Sequence, residues 1–394
     1  MIEKFAGIDA IHTGDRVTEG NTRPKVPPIY ASSVFSFNNL EDLDPVFNGE
    51  KPGFVYARMG HPNASLLEET ISSLEETESA LVFSSGMAAI TTALLSVLKP
   101  GDHLIADRVL YGGTFSFING FLKDWGIDVD LADTLDPDSV KRSIKTNTKV
   151  IYLETISNPM MGVADISALA EISSSAGSLL FVDNTFATPI LCRPAVRGAD
   201  VVIHSLTKYL NGHSDVTGGA VASNSEIAGK ALKLRSLLGG SMSPFDAWLI
   251  QRGVRTLHLR MEAHSNNAIY LARALEKHSR VLRVEYPGLE RHSSYGMARK
   301  MLENGFGGML SFEIEGGERA VSLFVKKLRM VELVPSLASI STTISHPAKT
   351  SHRSMTEEQR VDAGITGGLI RLSVGIDPVK PVWQDISEAL DSLN

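Results

Sequence analysis

The stretch Asp200-Val-Val-Ile-His-Ser-Leu-Thr-Lys208-Tyr-Leu-Asn-Gly-His-Ser-Asp-Val-Thr-Gly-Gly219 runs from apolar, β-branched residues straight into a turn crowded with hydroxyls and glycines, with one lysine at its centre. A lysine that acts as an amine nucleophile must spend time uncharged, which requires partial desolvation or a cationic neighbour, whereas an ordinary lysine stays hydrated and charged. Taken alone, the stretch fits both a lysine held for chemistry and a solvated lysine at a strand end.

A second apolar run, Ser178-Leu-Leu-Phe-Val-Asp183-Asn-Thr185, ends on a carboxylate and decides between the two. A fixed carboxylate is what the protonated pyridine nitrogen of pyridoxal 5'-phosphate needs to keep its charge while the ring accepts electrons. An Asp and a Lys at the carboxyl ends of parallel strands would both face the side of a sheet where ligands bind. A third segment, Leu81-Val-Phe-Ser-Ser85-Gly86-Met87-Ala-Ala-Ile90, reads as a strand that breaks at Ser-Gly and continues as a helix. Backbone N–H groups at such a helix start, with a glycine that lets an anion approach, make a phosphate cradle; Ser-Gly before a helix is also a plain N-cap. With Asp183, Ser205, Thr207 and Lys208 it forms one consistent cofactor site.

These residues, together with Tyr56-Ala-Arg58-Met-Gly-His-Pro-Asn63 and Leu369-Ile-Arg371-Leu-Ser-Val-Gly375, resemble the cysteine and methionine metabolism family of pyridoxal phosphate enzymes from about residue 8 to the C-terminus. That family includes cystathionine γ-synthase, the cystathionine lyases, methionine γ-lyase and the O-acylhomoserine sulfhydrylases. Leu206 departs from the smaller residue found in many members. The resemblance implies an α/β, aspartate aminotransferase-like fold (fold type I), with Lys208 as Schiff-base lysine and general base and acid. It implies that Tyr111 stacks on the cofactor ring and protonates the leaving thiol, and that Arg371 forks the substrate carboxylate. Ser336 and Asn158 match positions near that carboxylate, Asn158 also lying near the cofactor. Tyr56 and Arg58 match residues that reach the cofactor phosphate of a neighbouring subunit, so a homotetramer built as a dimer of dimers is expected.

Residues 1–60 are rich in Pro and Gly and poorly periodic, notably Thr22-Arg-Pro-Lys-Val-Pro-Pro-Ile29 and Asn48-Gly-Glu-Lys-Pro-Gly53, and read as an extended arm. A cofactor-binding domain is expected over 61–255, where the apolar runs 81–85, 103–107, 129–132, 150–155, 179–184, 201–205 and 219–223 alternate with helix-like stretches, the pattern of a mostly parallel sheet covered by helices. A smaller α+β domain is expected over 256–394, with strands at 281–286, 309–314 and 369–374 and helices at 318–328 and 381–393.

The composition, 43% hydrophobic and 21% charged over 394 residues, is that of a soluble globular chain. A net charge of −7 without a basic block argues against nucleic acid and anionic membranes as partners. No hydrophobic run approaches a membrane span and Met1-Ile-Glu-Lys-Phe-Ala6 lacks a signal-peptide pattern, so a cytoplasmic location is expected. Cys192 is the only cysteine, which excludes an intrachain disulfide and fits a small packing residue. The eleven histidines show no metal-ligand spacing, and no metal is expected. The glycines at 218–219 and 305–308 fit neither a dinucleotide fingerprint nor a P-loop. Glu154 closes the run Val150-Ile-Tyr-Leu-Glu154 and is read equally as orienting its neighbours or as structural. The polar segment Ser345–Met355 fits a mobile cover or an ordinary surface loop.

Within the family the reaction stays divided. Gly113 stands where methionine γ-lyases carry a cysteine, Arg235-Ser236 where many have Lys-Asp, and Pro335 where cystathionine γ-lyases and γ-synthases usually place a glutamate. The segments Gly239–Leu249 and Gly364–Arg371 look closest to methionine γ-lyases. The expectation is therefore α,γ-elimination on methionine or homocysteine, with cystathionine a further candidate, giving 2-oxobutanoate, ammonia and a thiol. The alternatives are γ-replacement on an O-acylhomoserine and, remotely, an inactive scaffold of the same fold, which the complete set of chemistry-bearing residues disfavours.

Overall fold

The computed structural model describes residues 6–14, 24–353 and 355–393; Met1–Phe5, Thr22-Arg23 of the proline-rich stretch and Ser354 of the polar segment lie outside them. Twelve strands are described: β1 Ser79–Phe83, β2 His103–Asp107, β3 Asp128–Ala132, β4 Thr148–Glu154, β5 Leu179–Asp183, β6 Val201–His204, β7 Gly219–Ser223, β8 Val281–Glu285, β9 Met309–Ile314, β10 Glu332–Leu333, β11 Thr343–Ser345 and β12 Leu369–Ser373. The chain divides into two compact units, one of Met1–Leu98 with Asp200–Leu257, the other of Lys99–Ala199 with His258–Asn394.

In the first unit the strand order is β1-β7-β6, and β7 runs antiparallel to both neighbours, with Phe83 opposite Gly219 and His204 opposite Ala220. All five residues of β7 are buried, as expected for a strand flanked on both sides. The helix Pro62–Glu75 starts where the His61 ring accepts the Ala64 N–H at 3.2 Å and Pro62 occupies the first helical position, where a missing N–H costs nothing. Its buried stripe, Leu67, Ile71 and Leu74, follows the helical period. It ends at Glu76, in the left-handed region at φ 57°. Arg235, from the helix Ser225–Leu238, is buried and donates to Glu68 and to the Val82 carbonyl, each at 2.7 Å. A buried guanidinium is tolerated only with such partners, so losing Glu68 would strand a charge. The short helices Ala6–His12 and Leu43–Phe47 lie within the stretch read as an arm.

In the second unit four strands in the order β5-β4-β2-β3 are all parallel. Their connections include helices such as Ile166–Ala176, capped by Asp165 and closed by Gly177 in the left-handed region. A second sheet, β10-β11-β12-β9-β8, is antiparallel except between β10 and β11. Tyr286, Phe312, Phe324, Leu372, Ile386 and Leu390 fill its core with the helices Gly317–Lys327 and Val379–Asp391. Phe312 stands edge-on to Phe324 with 6.1 Å between centroids, and truncating it to Ala should cost about 3–5 kcal/mol.

The strand positions follow the sequence reading closely. The mostly parallel expectation needs one amendment, the antiparallel β7. The two- and three-residue strands β10 and β11 were not anticipated, because a period of two cannot show over so few residues. Among the described residues no helix is long and apolar enough to cross a membrane.

Candidate active site

Within the first unit lie the Lys208 turn and a helix N-terminus. β6 ends at His204, and the chain then turns so that the Lys208 N–H bonds the Ser205 carbonyl at 3.1 Å while the Gly212 N–H bonds the Lys208 carbonyl at 2.7 Å. Thr207 locks this turn to Gly218, its hydroxyl accepting the Gly218 N–H at 3.0 Å and donating to the Gly218 carbonyl at 3.2 Å. Leu206 is fully buried, and a Cβ at Gly218 would lie 3.2 Å from the Leu206 Cβ, so glycine at 218 is what allows the close approach. Lys208 is half-buried, between a solvated surface lysine and a core residue.

The helix Gly86–Val97 begins three residues after β1 ends. Ser85 caps it by accepting the Ala88 N–H at 3.1 Å, which leaves the Gly86 and Met87 N–H groups without carbonyl partners in the helix. A Cβ on Gly86 would come within 2.9 Å of the Ser205 Cβ, so this glycine is what lets the serine pack on the helix start. Gly219 serves likewise, since a Cβ there would meet the Ser85 carbonyl at 2.2 Å. Two separate sequence motifs thus meet at one helix N-terminus, where N–H groups, the helix dipole and hydroxyls favour an anion. Tyr56 and Arg58 are exposed; Arg58 stands 5.5 Å from the Tyr56 ring centroid and donates to the Ser236 carbonyl.

The second unit contributes a carboxylate face. Asp107, Glu154 and Asp183 close the adjoining strands β2, β4 and β5, and all three are buried. Glu154 and Asp183 are register partners, so their side chains point to the same face. Asp183 accepts the Thr185 N–H at 3.0 Å, and Glu154 accepts the Tyr111 N–H at 2.7 Å. Burial foremost, then the charge of Asp183, push the Glu154 carboxyl well above the usual range, against the pull of the Tyr111 N–H. Burial likewise raises Asp107 to about 6, opposed by the Thr134 hydroxyl at 2.6 Å.

Arg371, buried on β12, donates to the Asn158 side-chain oxygen at 3.0 Å, and Asn158 is itself buried. The two residues read from the sequence as carboxylate-binding are therefore in contact. His352 is fully buried, and burial followed by the Arg371 charge presses its pKa down to about 4, so the ring is neutral at pH 7. The Ser351 hydroxyl and His352 Nδ1 lie 2.8 Å apart, and a Cβ on Gly112 would meet the Ser351 carbonyl at 2.1 Å. The polar segment therefore seats its backbone on Tyr111-Gly112 and is partly internal. Tyr111 is exposed, and Ser336 is half-buried near Ala338, whose N–H is held by the Ser373 hydroxyl.

Sequence reasoning did not single out His352, Asp107 or the buried pair of His204 and Glu75, 2.6 Å apart under the Lys208 turn. No spacing rule marks them, because their partners are remote in the chain. His103, Asp128 and Asp130 also gather within 4.8 Å, but the Lys145 amine already pairs with both aspartates at 2.7 and 2.9 Å.

The chemistry of these groups fits pyridoxal phosphate. Within the first unit a helix N-terminus and a half-buried amine suit a phosphate ester and a carbonyl; within the second, taken by itself, a buried carboxylate suits a protonated nitrogen and an Arg–Asn pair suits an amino-acid carboxylate. The family model of the Cys/Met metabolism PLP-dependent enzymes matches residues 8–391. The chain is 42% identical over 390 residues to an L-methionine gamma-lyase of Fusobacterium nucleatum subsp. polymorphum, covering 98% of each, and 43% identical over 375 residues to a cystathionine beta-lyase of Lactococcus lactis subsp. cremoris, covering 95% and 96%. Its structure superposes with a TM-score of 0.93 on the cystathionine gamma synthase of Xanthomonas oryzae pv. oryzae in complex with cystathionine, at 39% identity and 99% of both chains. The chain therefore belongs to the Cys/Met metabolism family of pyridoxal phosphate-dependent enzymes and has their aspartate aminotransferase-like, type I fold.

Proposed function

We propose that the protein catalyses α,γ-elimination on a sulfur amino acid, methionine or homocysteine with cystathionine a further substrate, consuming water and releasing 2-oxobutanoate, ammonia and a thiol. The observation that carries this reading is the similarity to an L-methionine gamma-lyase along 98% of both chains. Pyridoxal phosphate, when bound, supplies the electron sink that makes the substrate Cα–H and Cβ–H acidic.

The chain's own groups do the rest. Lys208 would hold the cofactor through its amine and, as general base, would take the protons from the substrate Cα and Cβ. Asp183 would hold the proton on the pyridine nitrogen. Ser85, Gly86, Met87, Ser205 and Thr207 form the phosphate cradle, to which Tyr56 and Arg58 of a neighbouring copy contribute. Tyr111 would lie against the ring and give its phenolic proton to the departing γ-thiolate. Arg371 binds the substrate carboxylate, with Asn158 and Ser336 beside it; the 3.0 Å bond between Arg371 and Asn158 supports that pairing.

A homotetramer arranged as a dimer of dimers and a cytoplasmic location belong to the same proposal, as does a functional division into an arm to residue 60, a cofactor-binding domain over 61–255 and a C-terminal domain over 256–394. A second reading, γ-replacement on an O-acylhomoserine, draws support from the 0.93 TM-score against a cystathionine gamma synthase. The test pits methionine alone against O-acetylhomoserine with cysteine. Thiol release from methionine supports elimination; brisk cystathionine synthesis with no thiol release from methionine refutes it.

A further inference from the structure

The polar segment that follows β11 starts beside Arg371 and returns to it. Ser345, at the end of β11, is the register partner of Arg371 on β12. From there the chain folds back on itself: the His346 ring bonds the Gly367 carbonyl at 3.0 Å, and the His352 N–H bonds the Pro347 carbonyl at 3.0 Å. The Ser351 carbonyl comes so close to Gly112 that a Cβ there would stand 2.1 Å from it. Backbone contacts therefore fix the segment at both ends, and they carry the fully buried His352 with it.

The His352 Nδ1 lies 2.8 Å from the Ser351 hydroxyl, which can donate to it. The imidazole also lies against the backbone of Asn158 and Leu110, whose carbonyls are the acceptors that a ring N–H needs, and the Arg371 charge acts on it. With Nδ1 accepting from Ser351, the proton sits on Nε2, the fully buried nitrogen left to face those carbonyls. The contact stops short of full hydrogen-bond geometry, as bonds around a site commonly do before substrate binds. Both carbonyls belong to residues that matter to the site: Leu110 precedes Tyr111, and Asn158 gives its side-chain oxygen to Arg371 at 3.0 Å.

We propose that His352 is a positioning residue of the carboxylate site: its Nε2–H ties down the Asn158 backbone, which keeps the Asn158 side chain on Arg371 and so sets the affinity for the substrate carboxylate. The inference rests on the proposed reading of Arg371 as the group that binds that carboxylate. A buried histidine kept only for packing would tolerate any side chain of similar size; one kept for its Nε2–H tolerates only a donor in the same place. A glutamine amide reaches the Nε2 position and donates from there. An asparagine amide reaches only as far as Nδ1, and a leucine donates nothing.

The experiment measures glycine binding to the holoenzyme of wild type, His352→Gln, His352→Asn, His352→Leu and Arg371→Ala, read from the cofactor's visible absorption, with ethylamine as an amine that lacks the carboxylate. Glycine has no γ-substituent to lose, so the result does not depend on which reaction the enzyme performs. Glycine affinity should fall about tenfold in His352→Leu and His352→Asn, the scale of one lost hydrogen bond, and stay within about threefold in His352→Gln, while ethylamine affinity stays level in all three. A leucine variant that binds glycine as wild type does, a glutamine variant as weak as the leucine one, or an equal loss for ethylamine overturns the proposal. Should His352→Leu fail to fold, the glutamine and asparagine variants decide it alone, since a packing role would not separate them in this order. Unchanged glycine affinity in Arg371→Ala would instead overturn the reading of Arg371 on which the inference rests.

Discussion

The two units handle buried polarity in opposite ways. Around Lys208 the first unit gathers donors: a helix N-terminus, the Ser205 hydroxyl, and glycines that let backbone approach backbone. The second unit gathers acceptors, three carboxylates on adjoining strands, and relieves the crowding with N–H and hydroxyl donors. The first arrangement waits for an anion; the second must shed negative charge or find a cation. By its chemistry the first suits an anionic group and the second a proton or a cation.

The heaviest break in the donor side is Lys208→Ala. It should lower turnover by about a thousandfold or more, as loss of both a nucleophile and a general base does. Borohydride reduction followed by peptide mass mapping should place the cofactor mass on the Lys208 peptide of wild type and nowhere in the variant. On the acceptor side, Arg371→Ala should reduce kcat/KM by about a hundredfold, mainly through KM, because it removes a charge-assisted fork and leaves the buried Asn158 oxygen without its donor. Steady-state kinetics that show a loss in kcat alone would shift Arg371 from binding to positioning.

Acid should act on two buried histidines of the second unit. His352 and His264 are buried and neutral, each with a folded pKa of about 4 against 6.5 unfolded, burial being the main cause. Their folded values lie below the unfolded ones, so the unfolded chain binds more protons between pH 4 and 6.5. The folded state then keeps its full margin above about pH 6.5 and loses it as pH falls toward 4, by about 3 kcal/mol per histidine at most. The Asp107 carboxyl, raised to about 6, acts the other way over the same range, so the prediction is a difference: between pH 6.5 and 4 the melting temperature of His352→Gln should fall less steeply, or rise more, than that of wild type. The mildest test is Gly86→Ala, whose Cβ would stand 2.9 Å from the Ser205 Cβ. Pyridoxal phosphate affinity, read by equilibrium dialysis, should weaken about tenfold, the cost of a small displacement in the cradle.

The two halves also differed in how much the sequence disclosed. The donor side is built from short contiguous stretches, Ser85–Met87 and Ser205–Lys208, each with its own composition signature, so its parts could be named in advance. The strands were equally plain, because β2, β4, β5 and β6 are apolar runs bounded by turn residues. What escaped depends on register and distance in the chain. Nothing local says that Glu154 lies opposite Asp183, that Ser351 backs onto Gly112, or that Arg235 is buried against Glu68. The antiparallel course of β7 was hidden for the same reason, since a strand's direction is set by its neighbours and leaves no mark in its own residues.

The most direct measurement is 2-oxobutanoate formation by the protein loaded with pyridoxal phosphate, on methionine, homocysteine and cystathionine in parallel, with free thiol and ammonia followed together. The account predicts equimolar 2-oxobutanoate, ammonia and thiol from methionine or homocysteine, all absent in Lys208→Ala. No 2-oxobutanoate from any of the three, in protein whose Lys208 carries the cofactor, would contradict it.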